Sequence, residues 1–143
     1  MSTVAAFLSA ARAQLLTVSG AVLSEETIHT IQTAGRSPRH LEFAIGRTET
    51  TPLAGPQKSS VGMPVRHVIK IITAYQLKPK DRATSLDSAE TWAALLRSAM
   101  LATTWTAAVA VVVTYTGDVQ APGPDGWIWF TLSLNVLQTV AIP

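Results

Sequence analysis

Two hydrophobic periods alternate along the chain. In the first segment Val4, Phe7, Leu8, Ala11, Leu15 and Val18 recur at spacings of three and four, which predicts an amphipathic helix with one apolar face. Ser2 or Thr3 suits its start and Gly20 its stop. Residues 21–39 carry no clean period. Ser24 followed by acids suggests a first turn, whereas the Thr and Ile content favours extended chain, and the segment is read as a short helix or turn. From His40 the period becomes two. Leu41, Phe43 and Ile45 alternate with His40, Glu42 and Ala44, which predicts a half-buried strand. Residues 51–64, "TPLAGPQKSSVGMP", collect Pro, Gly and Ser without periodicity and read as a long exposed loop. Alternation resumes after it, with Val65, Ile69, Ile71, Tyr75 and Leu77 on one side and Arg66, Lys70 and Gln76 on the other. The two strands predict an antiparallel hairpin with the loop at its tip.

A second helix follows "KPKDRATS". Asp87 with Glu90 three residues on has the spacing of a capping box, and Trp92, Leu95, Leu96, Ala99 and Met100 form the apolar stripe. The chain from Ser98 to Gly117 then runs without a charge, and the question is whether it spans a membrane. Six of its residues are Ser or Thr, and no basic cluster closely flanks either end, whereas a spanning helix needs about twenty predominantly apolar residues. "WTAAVAVVVTYT" is read instead as a strand, because Val and Thr suit a pleated surface. "GDVQAPGPDG" is read as a loop, and the last strand is the clearest element: Ile128, Phe130, Leu132, Leu134 and Val136 alternate with Trp127, Trp129, Thr131, Ser133 and Asn135. The expected fold is therefore a single α+β domain over residues 1–143, with a mostly antiparallel sheet of about four strands and two amphipathic helices packed on one face.

Composition changes this picture in one respect. Charged residues make up 14% of the 143-residue chain, against about 25% in an ordinary soluble domain, while apolar content is an ordinary 48%. Either the surface is rich in Thr and Ser, or part of it is covered by copies of the chain or by partners. The net charge of +2 is far from that of a dedicated nucleic-acid binder, and the absence of cysteine excludes disulfides, thiolate zinc sites and a cysteine nucleophile. "MSTVAAFLSAARAQLL" lacks the basic start of a secretory signal.

Candidate chemistry is sparse. No glycine-rich phosphate loop or nucleophile elbow is present. His29, His40 and His67 are isolated, and although His40 and His67 fall on strands expected to be neighbours, no carboxylate completes a metal set. Asp118 and Asp125 each sit beside Gly and read as turn residues. No catalytic, cofactor or metal residue is assigned. Lys78, Lys80 and Arg82 form a basic cluster where a strand leaves for a helix; it is either a solvated connection or a patch facing nucleic-acid backbone. Trp127 and Trp129 lie opposite the Ile/Phe/Leu stripe and are either covered by further structure or exposed as interface anchors.

The order of elements, the Pro/Gly-rich hairpin loop, "VRHVIKIITAYQLKPKDRATSLDSAE" running into a helix, and the closing "GWIWFTLSLNV" strand together resemble tail terminator (tail completion, head–tail joining) proteins of long-tailed bacteriophages. The resemblance implies a non-enzymatic virion protein, assembled in the host cytoplasm, that forms a hexameric ring at the head-proximal end of the tail. Such a ring stops tube polymerisation, contacts the tail tube protein and a neck or head-completion protein, and lets DNA pass through its lumen without sequence recognition. It also implies that the 51–64 loop, with Lys58 and Met63, reaches toward a neighbouring tube or neck subunit, and that Lys78, Lys80 and Arg82 face the DNA or lumen. Family members can be acidic, whereas this chain is mildly basic. A nucleic-acid-binding accessory module, or another neck or tail-tube component, is the alternative.

Overall fold

The computed structural model describes residues 4–53, 63–102, 105–106 and 111–140. Among the described residues the elements in order are α1 (Val4–Leu15), β1 (Val22–Leu23), β2 (Glu42–Pro52), β3 (Met63–Gln76), α2 (Arg82–Leu101), β4 (Val111–Pro122) and β5 (Trp127–Val140). The strands form one sheet in the order β1-β2-β3-β5-β4. Every pairing is antiparallel except β1 with β2, so the class is α+β with a mixed sheet.

Both helices pack on one face of the sheet. Phe7, Ala11 and Leu15 from α1 and Ala89, Trp92, Ala93, Leu96 and Met100 from α2 meet Phe43, Ile45, Ile69, Ile71, Phe130, Leu132, Leu134 and Val136. Removing a Phe or Leu side chain from water contributes about 1.5–3 kcal/mol, and this layer is what the two alternating strands β3 and β5 exist to cover. The polar groups inside it are matched: the Trp92 indole N–H donates to Thr73 Oγ1 at 3.1 Å, and that hydroxyl donates to the Glu42 carbonyl at 2.8 Å.

The other face is only partly covered. The segment 24–39 lies across its β2 side, where Ile28 and Ile31 pack on Ala44, Ile72, Ala74 and Trp129. This segment is a series of turns rather than a short helix, with one helix-like bond from the Ile31 N–H to the Thr27 carbonyl. It is tied down by an ion cluster. Glu42, fully buried, accepts from both Arg36 guanidinium nitrogens at 3.3 and 2.5 Å and from the Arg39 backbone N–H at 3.1 Å. A buried carboxylate is tolerable only when paired and hydrogen-bonded, and here the pairing clamps the segment to the sheet.

Several expectations are corrected. The sheet has five strands rather than about four, because the chain after α1 turns back and lays two residues of β1 parallel to Glu42 and Phe43, too few to show a period. Leu41 adopts a positive φ of 65° instead of starting a strand, and Glu42 is buried rather than turned to solvent. The hairpin strands run further than expected, pairing Pro52 with Val65, and residues 54–62, with Lys58, lie outside the described residues. Helix α2 starts at Arg82, with Asp81 at the N-cap, so Asp87 and Glu90 lie within the helix and form no cap. Leu95 is correspondingly off the buried stripe and half exposed. Strand β4 covers residues 111–122, converting most of the expected "GDVQAPGPDG" loop into strand, while Trp105 and Thr106 are helical. A bulge between Tyr115 and Gly117, where Gly117 has a φ of +139° open chiefly to glycine, shifts the inward/outward phase by one residue where the expected strand and loop meet. Among the described residues no helix is long and apolar enough to cross a membrane.

Candidate functional site

The largest unsatisfied feature of the described fold is the outer edge of β4. This strand ends the sheet, so one row of its backbone N–H and C=O groups has no ladder partner among the described residues. Its Val111–Tyr115 stretch is β-branched or aromatic throughout and uncharged, and Val112 and Val119 are 60% and 66% exposed. Val112 stands opposite Leu137, itself exposed, on the helix-free face. Natural sheets blunt such edges with bulges, prolines and charges; β4 has a bulge at its middle, Asp118 just after it and Pro122 at its end. Helix α2 leans on the same strand: Glu90 accepts from Gln120, and the Arg97 guanidinium lies 5.1 Å from the centre of the Tyr115 ring. The Tyr115 hydroxyl donates to Asp118, so the one carboxylate on β4 is held beside the ring.

The opposite end of the sheet is also incompletely closed. Strand β1 covers only Glu42 and Phe43, and past them the outer side of β2 borders a cleft lined by Arg12, Glu25, His29, Ala44 and Arg47. Arg47 is exposed, and its guanidinium donates to Thr50 Oγ1 at 2.7 Å.

The two tryptophans differ. Trp129 is 5% exposed and forms part of the second cluster beneath the 24–39 segment, so it is a packed residue and not an exposed anchor. The β4–β5 turn closes over it so tightly that a side chain at Gly123 would meet the Trp129 indole nitrogen at 2.9 Å. Trp127 is half-buried at the end of β5 and packs against the same cluster. Met63 opens β3 opposite Val140. Lys78 and Lys80 are exposed in the connection between β3 and α2, and Arg82, exposed at the first position of α2, lies 3.6 Å from Asp125. Around that pair runs an open cleft of about 450 Å³ lined by Leu77, Arg82 and the 120–128 turn.

His40 and His67 sit at opposite ends of the β2–β3 pair and do not meet. His40 Nδ1 accepts the Gln76 backbone N–H at 3.1 Å and its ring lies edge-on to Tyr75, while His67 contacts Thr50 Oγ1 at 2.8 Å and Gln138 Oε1 at 3.0 Å. Burial pushes the His67 imidazole below its usual range; Arg47 adds to that, and the Gln138 contact opposes it. Asp118 and Asp125 are likewise separate, one on β4 and one in the turn beside Arg82. Among the described residues no group of three His, Asp or Glu side chains is placed to hold a metal. Glu42 is the most perturbed acid. Burial would raise it, but the hydrogen bonds from Arg36, Ser24 and the Arg39 backbone, with the Arg36 charge, outweigh burial and hold it at about 2. Its partners make it a structural clamp.

The features that sequence reasoning missed are the β4 edge and the buried role of Glu42. The signal for the first was Gly117 within a Val/Thr run; for the second no sequence signal distinguishes Glu42 from an exposed strand residue.

No family model matches the chain, and no curated protein matches it. A solved structure described as "Structure of without transmembrane region from Akkermansia muciniphila" is 10% identical, with 99% of this chain and 88% of that chain covered and a TM-score of 0.32. At that distance the likeness carries no argument about fold or function.

Proposed function

We propose that the chain is a structural protein that assembles with copies of itself into a ring, and that the ring acts as the tail terminator which the sequence resemblance implies. The observation that carries the reading is the twelve-residue outer edge of β4, which has no strand partner among the described residues, in a chain unusually short of charge. An open edge with exposed valines is an aggregation hazard unless another strand occupies it, and a closed ring occupies every such edge without leaving a free end. In this role the partners are other copies, a tail tube protein and a neck protein, with DNA passing through the lumen. The test is electron microscopy of the purified protein, alone and mixed with tail tubes. Rings that cap tubes at one end support the reading; particles no larger than single chains, with tubes left uncapped, overturn it. A second reading, a nucleic-acid-binding accessory module, rests on the exposed Lys78 and Lys80 beside the α2 N-terminus.

A further inference from the structure

Within the ring reading, on which this inference rests, the fold also specifies how neighbouring copies join. Among the described residues the sheet has two incompletely paired sides, the outer edge of β4 and the outer edge of β2 past Phe43. Successive antiparallel pairings of β2 with β3, β3 with β5 and β5 with β4 make β2 and β4 run in opposite directions. A rotation about an axis along the strands preserves each strand's direction. It therefore brings β4 of one copy beside β2 of the next as an antiparallel pair, the geometry of an ordinary ladder. We propose that β4 of each copy pairs antiparallel with the outer edge of β2 of the next copy, head to tail, to make one continuous sheet around the ring.

With neighbouring copies level along the strand axis, the cross-strand rows within one copy set the register of the junction. Thr51, Arg66, Leu137 and Val112 form one row on the helix-free face, and Glu49, Val68, Asn135 and Thr114 the next. In an unstaggered ring Val112 of one copy meets Thr51 of its neighbour, and Thr114 meets Glu49. On the helix face, Arg47, Ile69, Leu134 and Tyr115 share a row. The neighbour's Arg47 thus arrives beside Tyr115, whose hydroxyl holds the Asp118 carboxylate. The one cation of β2 then lies a single same-face row from Asp118, the one acid of β4, whose row is that of Ile45, Ile71 and Leu132, and this complementarity favours a second copy of the chain as the occupant over an unrelated strand. Leu101 adds apolar surface to the same junction, since it lies eleven residues after Glu90 and four after Arg97, on the side of α2 turned to β4, and is exposed.

The chain contains no cysteine, which makes oxidative cross-linking selective. In the full chain, Val112→Cys combined with Thr51→Cys, and separately Thr114→Cys combined with Glu49→Cys, are oxidised in the assembled state and run under denaturing conditions. A ladder of multimers from either pair, with Val112→Cys alone remaining monomeric, is the expected result. Covalent dimers from Val112→Cys alone mean that β4 pairs with β4 and overturn the head-to-tail arrangement. Rings that form but give no ladder from either pair also overturn it and leave the ring reading standing; a wild-type chain that stays monomeric at high concentration removes both. Charge exchange is the independent check. Arg47→Asp or Asp118→Arg alone raises the concentration needed for assembly on the order of tenfold, as like charges at an interface do, and the double exchange restores it. Singles that assemble like the wild type contradict the proposed contact.

Discussion

Replacing Glu42 by Gln removes one charge from the buried cluster and keeps the shape of the side chain. The carboxyl is held at about 2 against an ordinary 4.5, a difference of about 2.5 units. At 1.36 kcal/mol per unit this amounts to about 3 kcal/mol. Arg36 and Arg39 are 36% and 49% exposed at their side chains, so water screens part of the attraction, and about 2–3 kcal/mol is the expected loss at neutral pH. For a chain of this size that lowers the melting temperature by about 5–10 °C. The pH dependence gives the sharper test. Because the folded pKa lies below the unfolded one, the unfolded chain binds more protons between the two values. The stabilisation is complete above about 4.5 and is lost as pH falls toward about 2. Urea unfolding of wild type and Glu42→Gln across that range should show a gap that is wide at pH 7 and nearly closed at pH 2. Other carboxylates act on both proteins and cancel in the difference. A gap of the same width at both pH values would assign the effect to packing and refute the charge argument, as would the absence of any gap.

Trp129→Ala should lose about 3–5 kcal/mol by denaturant unfolding, as expected for a large buried aromatic, while Trp127→Ala, half-buried, loses about 1 kcal/mol; equal small losses would show that Trp129 is not packed under the 24–39 segment. His67 titrates below the usual 6.5 because burial disfavours its charged form. Its contribution to stability is therefore complete above pH 6.5 and declines as pH falls below it; NMR titration of the imidazole at or above 6.5 would contradict this. Lys78→Glu with Lys80→Glu should leave ring formation unchanged, because both residues lie between β3 and α2, beyond the Gln76–Trp127 end of the sheet and not at the Thr51–Val112 end; loss of rings by native electrophoresis would place the junction elsewhere.

Much of the helix face was legible in the sequence because its signal is local. The stripe through Phe7, Ala11 and Leu15 and the alternation from Phe130 to Val136 each need one continuous period, and both are buried as that period requires. What the sequence did not disclose breaks a period or depends on distant chain. The bulge at Tyr115–Gly117 shifts the phase of β4, so its second half resembles a turn-rich loop. Strand β1 is two residues long and exists only because β2 receives it. Glu42 occupies a position whose alternation predicts exposure, and it is buried because Arg36, in a segment with no period of its own, reaches back to it. Trp129 is covered by Ile28 and Ile31 of that same segment. The candidate surface shares this limit, since an edge strand is defined by what does not pair with it.

Native mass spectrometry of the full-length wild-type chain tests the central claim most directly. One closed oligomer of fixed subunit number that persists on dilution is expected, as is its conversion to single chains when Val112 and Val119 on β4 are both changed to Lys. A wild-type protein that is monomeric at every concentration, or an oligomer indifferent to those two substitutions, would contradict that claim.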